Sequence, residues 1–172
     1  MNSIKIYALA LLPLVAVAPR SGRTDHADVM RTIAEVKAKD PGISKFFDNA
    51  AGYAVFPTVA KGAMGVGGAH GSGELLVGGK AIGKATLNQV TVGFQLGGQT
   101  YTEIIFFENE SALNGFKKGD FAFAAQASAV AVTTGASANV GYRNGVLVFT
   151  MAKGGLMYEA SVGGQKFSFK PY

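Results

Sequence analysis

The stretch Arg143-Asn-Gly-Val-Leu-Val-Phe-Thr150 carries the clearest folding signal of this chain. Its Asn144-Gly145 pair fits the two central positions of a tight hairpin, because both residues tolerate a positive φ. The run that follows, from Val146 to Thr150, is rich in the β-branched and aromatic residues that strands favour. The pattern predicts a β-hairpin that joins a strand ending near Tyr142 to a strand beginning at Val146.

Strand-like runs extend from this hairpin in both directions, starting near Gly52. Residues 104–107 are apolar on both faces, which predicts a strand that is covered on both sides. We expect Pro57 to end a short strand over residues 53–56, and Gly71-Ser72-Gly73 to form a hairpin turn. The other predicted strands cover residues 59–70, 74–82, 89–96, 100–108, 121–125, 156–162 and 166–169.

Helices are predicted before the strands and once between them. Val29, Ile33 and Val36 fall on one apolar stripe, which is typical of an amphipathic helix. Asp25 is the expected N-cap of this helix, and Asp40-Pro41-Gly42 is expected to end it. The other predicted helices cover residues 43–49 and 111–116, the latter capped by Asn109 or Ser111, with Leu113 and Phe116 facing inward.

These elements predict an α+β fold that is mainly β. We expect an antiparallel, glycine-rich sheet or barrel-like body of six to eight strands, with two short N-terminal helices and one helical insertion. The chain has 24 glycines, and they lie within apolar segments, which indicates bent and closely packed strands. The predicted organisation is a signal-peptide-like segment over residues 1–18, a linker over 19–27 and a single domain over 28–172.

The first segment has the features of an export signal. Lys5 precedes an apolar run from Ile6 to Ala18, which is too short to span a bilayer. Small residues at Ala16 and Ala18 match a cleavage site, although Pro19 fits poorly after the cleavage point and leaves its position open. We expect a periplasmic or secreted protein that is peripheral to a membrane. An uncleaved hydrophobic N-terminus or a buried helix is the alternative.

The composition excludes several kinds of chemistry. The chain has no cysteine, so disulfides, thiolate metal sites and thiol nucleophiles are excluded. Its two histidines, His26 and His70, lie in no metal-ligand or nucleophile motif. The segment Gly78–Ala85 follows the phosphate-loop pattern as far as Lys84. It then lacks the Ser or Thr that would bind magnesium, and a β segment follows where a helix is needed.

The acidic residues do not form an acid–base pair. Glu103, Glu108 and Glu110 flank the most apolar strand and are expected to be surface acids, with burial of Glu103 as the alternative. We therefore expect no enzymatic activity, no metal and no cofactor. The net charge of +5 is modest, and the sequence contains no long run of like charges. Nucleic acid is therefore not an expected partner.

Five glycine-rich and aromatic blocks occur in a fixed order over about 120 residues. They are Gly52–Pro57, Lys61–Ala69, Val92–Gln99 with Glu103–Phe107, Lys153–Leu156 and Gly163–Phe167. This series resembles the SYLF domain family, the lipid-binding domain of membrane-associated actin-patch proteins and of many bacterial exported proteins. The resemblance implies a mainly β domain with helices that binds phosphoinositides or other anionic phospholipids.

This chain departs from the eukaryotic members in two respects. Those members use a basic amphipathic N-terminal helix at the membrane, whereas the helix predicted here is of mixed charge. Its charged residues are Arg31, Lys37 and Lys39 together with Asp28, Glu35 and Asp40. The sequence also has a signal-like segment before the domain and no SH3 or FYVE module, so actin is an unlikely partner.

Several cations lie next to predicted turns and are the candidate lipid-binding residues. Each cation near an anionic leaflet contributes about 1 kcal/mol of attraction. Lys117 and Lys118 are the best candidates, because two adjacent cations on a polar connection have no evident structural duty. The full set is Lys117, Lys118, Lys80, Lys84, Lys61, Arg143 and Lys153.

The main hypothesis is therefore a non-catalytic domain that binds anionic membranes through exposed basic residues. The first alternative is an exported structural or protein-interaction module with incidental lipid affinity. A small outer-membrane β-barrel is a further alternative. The C-terminal strand argues against a barrel. If Tyr172 faced the lipid, the alternate residues Lys170, Ser168 and Lys166 would face it too, where a barrel strand is apolar. An enzyme is the least favoured alternative.

Overall fold

The computed structural model describes residues 25–64, 66–92, 98–119, 129–154 and 164–172. Two helices, α1 (His26–Lys39) and α2 (Ser44–Asn49), come first, separated by a 3-10 turn at Pro41–Ile43. The strands are β1 (Gly52–Met64), β2 (Val66–Val77), β3 (Lys80–Val92), β4 (Gln99–Phe107), β5 (Val130–Ala131), β6 (Val146–Gly154) and β7 (Gln165–Pro171). A third helix, α3 (Glu110–Lys118), lies between β4 and β5, and a second 3-10 turn covers Ala136–Asn139.

The seven strands form one open sheet in the order β5-β6-β4-β1-β2-β3-β7. Every strand pairing is antiparallel except that of β5 with β6, which is parallel. The prediction of a mainly β body that begins near Gly52 is therefore confirmed, as are the helices before it and the one within it. The expected antiparallel arrangement holds for five of the six pairings of the described strands, and only the pairing of β5 with β6 departs from it. The sheet is open, with β5 and β7 at its opposite edges, so it is not a closed barrel.

The sheet is strongly curled. Four strand spacings separate β4 from β7, which would place them about 19 Å apart in a flat sheet with strands about 4.8 Å apart. The Gln165 Nε2 atom on β7 nevertheless donates to Glu103 Oε2 on β4 at 2.9 Å. The rings of Phe56 and Phe167 also lie 5.9 Å apart. The face that carries these four side chains is therefore the concave, inner face of the sheet.

The curl creates two apolar cores. On the inner face, Phe107, Phe116 and Phe167 pack together, which anchors α3 at one end of the sheet. On the outer face, α1 and α2 cover the first part of β1 together with β4 and β6, and Phe46 contacts Phe106 and Phe149. The prediction that residues 104–107 are covered on both sides is confirmed, since all four are fully buried.

The predicted helices have the expected boundaries. Asp25 is the N-cap of α1 and Asp40 is its C-cap, although the Asp25 side chain makes no capping hydrogen bond. Asn109 caps α3, because its side chain accepts a hydrogen bond from the Ala112 N–H at 3.0 Å. α3 ends at Gly119, whose φ of 74° lies in the left-handed region that favours glycine.

The predicted strand before the Asn144-Gly145 turn is wrong. This stretch pairs with β6 only through the bridge between Arg143 and Val146. The residues upstream bind the buried Asp40 carboxylate, which accepts the Gly135 N–H at 3.3 Å and the Ser137 N–H at 2.8 Å. Burial alone would raise the pKa of Asp40, but these N–H donors outweigh it and lower that pKa.

The predicted hairpin turn at Gly71-Ser72-Gly73 is also wrong, because these residues lie within β2. The β2–β3 turn is at Gly78 and Gly79, which have φ values of 55° and 78°. Pro57 does not end its strand either, since β1 continues past it. The register of β1 shifts between Val55 and Thr58, and such a bulge accommodates a proline that has no N–H for the ladder.

Gly73 is required where β1 bulges around Pro57. A Cβ atom at Gly73 would lie 2.0 Å from the Val55 carbonyl oxygen and 2.9 Å from a Phe56 ring carbon. We expect Gly73→Ala to lower the free energy of unfolding by about 2 kcal/mol, as overpacking commonly does. Gly62→Ala in the neighbouring strand β1 is the control, because a Cβ atom at Gly62 meets no atom within 4 Å. Urea unfolding that gives equal losses for both variants would contradict this role of Gly73.

Some predictions fall outside the described residues. They are the signal-like segment 1–18, the linker up to residue 24, the strands at 121–125 and 156–162, and the end of the run 89–96. The helix α1 begins at His26, inside the predicted linker. Within the described ranges, no helix is long and apolar enough to cross a membrane.

Candidate functional site

The outer surface of β3 and β7 is polar and basic. Inward residues such as Leu87 and Phe167 belong to the inner core, so the alternate residues of both strands point outward. Cross-strand partners on this side are Lys84 with Lys170, Thr86 with Ser168, and Asn88 with Lys166. We call these six side chains the basic face; all are exposed except Thr86, which is half-buried.

The lysines of the basic face are not arranged for stability. Lys84 and Lys170 are direct cross-strand neighbours, and directly opposite side chains have Cβ atoms about 5 Å apart. Two like charges at that separation destabilise a sheet. Lys166 adds a third cation two rows away on the same face. An anion bound between these lysines would relieve their mutual repulsion.

One carboxylate, that of Glu74, adjoins the basic face, and both of its oxygens already have partners within the protein. Glu74 on β2 is opposite Lys84, but it is buried. One of its oxygens contacts His26 Nδ1 at 2.6 Å. The other accepts a hydrogen bond from the Tyr172 hydroxyl. Glu74 therefore ties the start of α1 to the end of the chain and offsets only part of the charge of the lysines.

The basic face continues onto β2 and ends at an exposed apolar residue. His70 on β2 is opposite Asn88, and its Nδ1 atom lies 2.8 Å from Asn88 Oδ1. Val90 follows Asn88 on the same side of β3 and is 74% exposed. It is one of three exposed large hydrophobic residues in the described ranges. The surface therefore combines cations, small polar groups and one apolar side chain at its end.

The candidate cations from the sequence do not converge on one face. Lys84 belongs to the basic face, and Lys80 begins the same strand and is exposed. Lys117 and Lys118 lie in the last turn of α3, which packs against the inner core, and only Lys118 is well exposed. Arg143 is exposed beside the Asn144-Gly145 turn.

Two other candidate cations lie at the far end of the sheet. Lys153 on β6 is exposed, and its Nζ atom donates to Thr58 Oγ1 at 3.5 Å. Lys61 is buried, which corrects the prediction that it is an exposed cation. Lys61 lies within β1 opposite Ala69 on β2, so its side chain belongs to the inner face. It is not available to an external surface.

Sequence reasoning missed Lys166 and Lys170 as site residues. Their signal was present in the alternation Lys166, Ser168, Lys170, which places three polar side chains on one side of a strand. The pairing of this strand with β3 brings Lys170 next to Lys84, 86 positions earlier in the chain. Nothing in the order of residues along the chain indicates that contact.

The inner face has a polar end of its own. Glu103, Tyr101 and Gln165 are all buried there, which corrects the prediction that Glu103 is a surface acid. Burial raises the pKa of Glu103 to about 7, although the hydrogen bond from Gln165 opposes the shift. Burial, followed by the charge of Glu103, also raises the pKa of Tyr101. Within the described residues, no group of three or more His, Asp or Glu side chains could hold a metal ion.

One family model matches the part of the chain that runs from the end of β3 to β7. Residues 88–171 match the family model described as Ysc84, Las17-binding protein actin regulator. The matched range includes Asn88, Lys166 and Lys170 of the basic face, and the blocks at 52–57 and 61–69 precede it. No curated protein matches the chain. The match over residues 88–171 confirms the resemblance to the SYLF domain family that the glycine-rich blocks indicated.

Proposed function

We propose that this protein is a non-catalytic lipid-binding domain that attaches to anionic phospholipid or phosphoinositide membranes through its basic face. The observation that carries the proposal is the cross-strand pair of Lys84 and Lys170, with Lys166 two rows away. Glu74 offsets only part of the repulsion among these cations, so they add little to the stability of the folded domain. They attract an anionic leaflet, at about 1 kcal/mol for each cation near the surface.

The shape of the face suits a bilayer. Its central side chains are Thr86 and Ser168, which are short and hydroxyl-bearing, so the flanking lysines meet no bulky obstacle. Hydroxyl groups also donate hydrogen bonds to phosphate oxygens. Val90, exposed at the end of the same face, offers an apolar side chain to the interface between headgroups and acyl chains.

We further propose that the domain acts after export, in the periplasm or outside the cell. The support is the sequence pattern of residues 1–18. N-terminal sequencing of the protein from fractionated cells tests the proposal. A mature chain that begins near residue 19 is the expected result, and an intact Met1 in the cytoplasmic fraction would exclude export.

The membrane proposal is tested by sedimentation of the chain with vesicles. The three vesicle types are phosphatidylcholine alone, the same lipid with phosphatidylglycerol, and the same lipid with phosphatidylinositol bisphosphate. Binding to the two anionic types should fall steeply as salt rises, because the attraction is screened within about 8 Å at physiological ionic strength. Filamentous actin is the control polymer, and no co-sedimentation with it is expected. Equal binding to neutral and anionic vesicles would refute the proposal.

A further inference from the structure

A pocket opens beside β5 and β6, on the opposite edge of the sheet from the basic face. It encloses about 190 Å³ between β6 and the loop that precedes the Asn144-Gly145 turn. Its aliphatic lining consists of Val130, Val140, Val146, Leu147 and Val148. The volume is comparable to that of an enclosed apolar cavity of about 150 Å³ that holds a benzene molecule, whereas this pocket is open to solvent and partly polar. The pocket therefore has room for a small apolar group.

Polar groups stand beside this apolar lining. Asn139 and Arg143 both line the pocket, and Arg143 is exposed. Within the described part of the chain, neither of the two ion pairs involves Arg143. Its guanidinium is thus available for an external anion, and guanidinium groups bind carboxylates through paired hydrogen bonds.

The backbone that carries Arg143 is fixed. Its N–H donates to the Val146 carbonyl at 2.9 Å, and the Val146 N–H donates to the Arg143 carbonyl at 3.0 Å. Asn144 and Gly145 close the turn between them, with φ values of 52° and 78°. These two hydrogen bonds hold the Arg143 backbone next to the apolar lining, so its side chain starts from a defined position beside the pocket.

One acid lies within electrostatic reach of the pocket. Burial, followed by the negative charge of Glu108, raises the pKa of Tyr142, and Tyr142 precedes Arg143 directly. The Glu108 N–H also donates to the Gly145 carbonyl at 2.8 Å. Glu108 therefore opposes an anion at Arg143, which makes its removal a useful control.

We propose that this Arg143 pocket binds a small amphipathic anion, a carboxylate with a short aliphatic tail. The tail lies against Val130, Val140 and Leu147, which share the outer side of the sheet, and the carboxylate pairs with the Arg143 guanidinium. The single cation and the limited volume favour a small monoanion over a polyanion. This site lies at the opposite edge of the sheet from the basic face. Its ligand is a single molecule that enters a pocket, so binding needs no bilayer.

The test is a titration of the ¹⁵N-labelled full chain, followed by amide chemical shifts. The probes are hexanoate, acetate, which lacks the tail, and hexanol, which lacks the charge. Hexanoate should bind more tightly than either of the others and shift the amides of residues 139–148. Arg143→Gln should weaken hexanoate binding about tenfold, as expected for loss of a hydrogen-bonded charge partner. Glu108→Gln should strengthen it.

Two further variants separate this pocket from other anion sites. Gly141 lines the pocket, and a Cβ atom there would meet no atom within 4 Å. Gly141→Leu should therefore be tolerated, obstruct the pocket and weaken hexanoate binding while the rest of the spectrum is preserved. The double variant Lys84→Gln/Lys170→Gln should leave hexanoate binding unchanged. Loss of hexanoate binding in that double variant would overturn the proposal. Equal hexanoate affinity of wild type and Arg143→Gln would also overturn the proposal. If Arg143→Gln lost only vesicle binding, Arg143 would bind a lipid headgroup, and the proposal would again be wrong.

Discussion

Glu103→Gln should raise the free energy of unfolding by about 3 kcal/mol at about pH 8 and leave it nearly unchanged at about pH 4. Glu103 is fully buried on β4, and burial raises its pKa from 4.5 to about 7. The folded protein therefore binds more protons than the unfolded chain between these two values. Stability contributed by protonated Glu103 is greatest below pH 4.5 and is lost as pH rises toward 7.

The glutamine variant removes this dependence because it is neutral at every pH and nearly isosteric. Its side-chain oxygen still accepts a hydrogen bond from the Gln165 amide, as Glu103 Oε2 does at 2.9 Å. Urea unfolding of both proteins across the same pH series gives the difference directly. If the free energies of unfolding of the two proteins changed in parallel with pH, folding would not raise the pKa of Glu103, and this prediction would be wrong.

The combined variant Lys84→Gln/Lys166→Gln/Lys170→Gln should weaken binding to anionic vesicles by roughly 150-fold, at about 1 kcal/mol for each cation removed. Stability should not fall, because all three side chains are exposed. Removing the repulsion between Lys84 and Lys170 should even stabilise the sheet by a few tenths of a kcal/mol.

The matched control is Lys117→Gln/Lys118→Gln, which removes two cations from α3. This helix packs on the inner side of the sheet, so its lysines do not extend the basic face. We expect the control to lose far less affinity than two lysines of the face would. A larger loss in the control than in the triple variant would move the membrane site to α3.

Local signals in the sequence predicted much of the fold. The apolar stripe of α1, the Asp40-Pro41 stop and the cap at Asn109 depend on neighbouring residues, and each appears where expected. The run 104–107 was also predicted correctly, because uninterrupted apolar residues require cover on both faces.

The errors arose where tertiary contacts decide the structure. Gly71 and Gly73 resemble turn residues, yet they lie in β2 where Cβ atoms at both positions would collide with β1. The residues before Asn144 resemble a strand, yet Gly135 and Ser137 donate to Asp40, which is about a hundred positions away. Glycine abundance alone does not distinguish a turn from a close approach between strands.

The sequence predicted that the candidate site consists of exposed basic residues, but it did not predict which of them lie together. A search for cations near turns identified Lys84, but it also selected Lys61, which is buried on the inner face. Lys166 and Lys170 were not among the candidates, because their place beside Asn88 and Lys84 becomes visible only in the pairing of β7 with β3. The basic face depends on the pairing of β3 with β7, and a pairing across about 80 residues of sequence has no local signature.

The most direct test of the account is the vesicle affinity of wild type and of the triple lysine variant, compared at low and high salt. The proposed face predicts tight, salt-sensitive binding of the wild type to anionic vesicles, and weak binding of the variant at either salt concentration. Equal affinities for the two proteins would contradict the account. Tight binding by both at high salt would do so as well, because it would indicate apolar insertion, for instance by Val90, in place of attraction by the basic face.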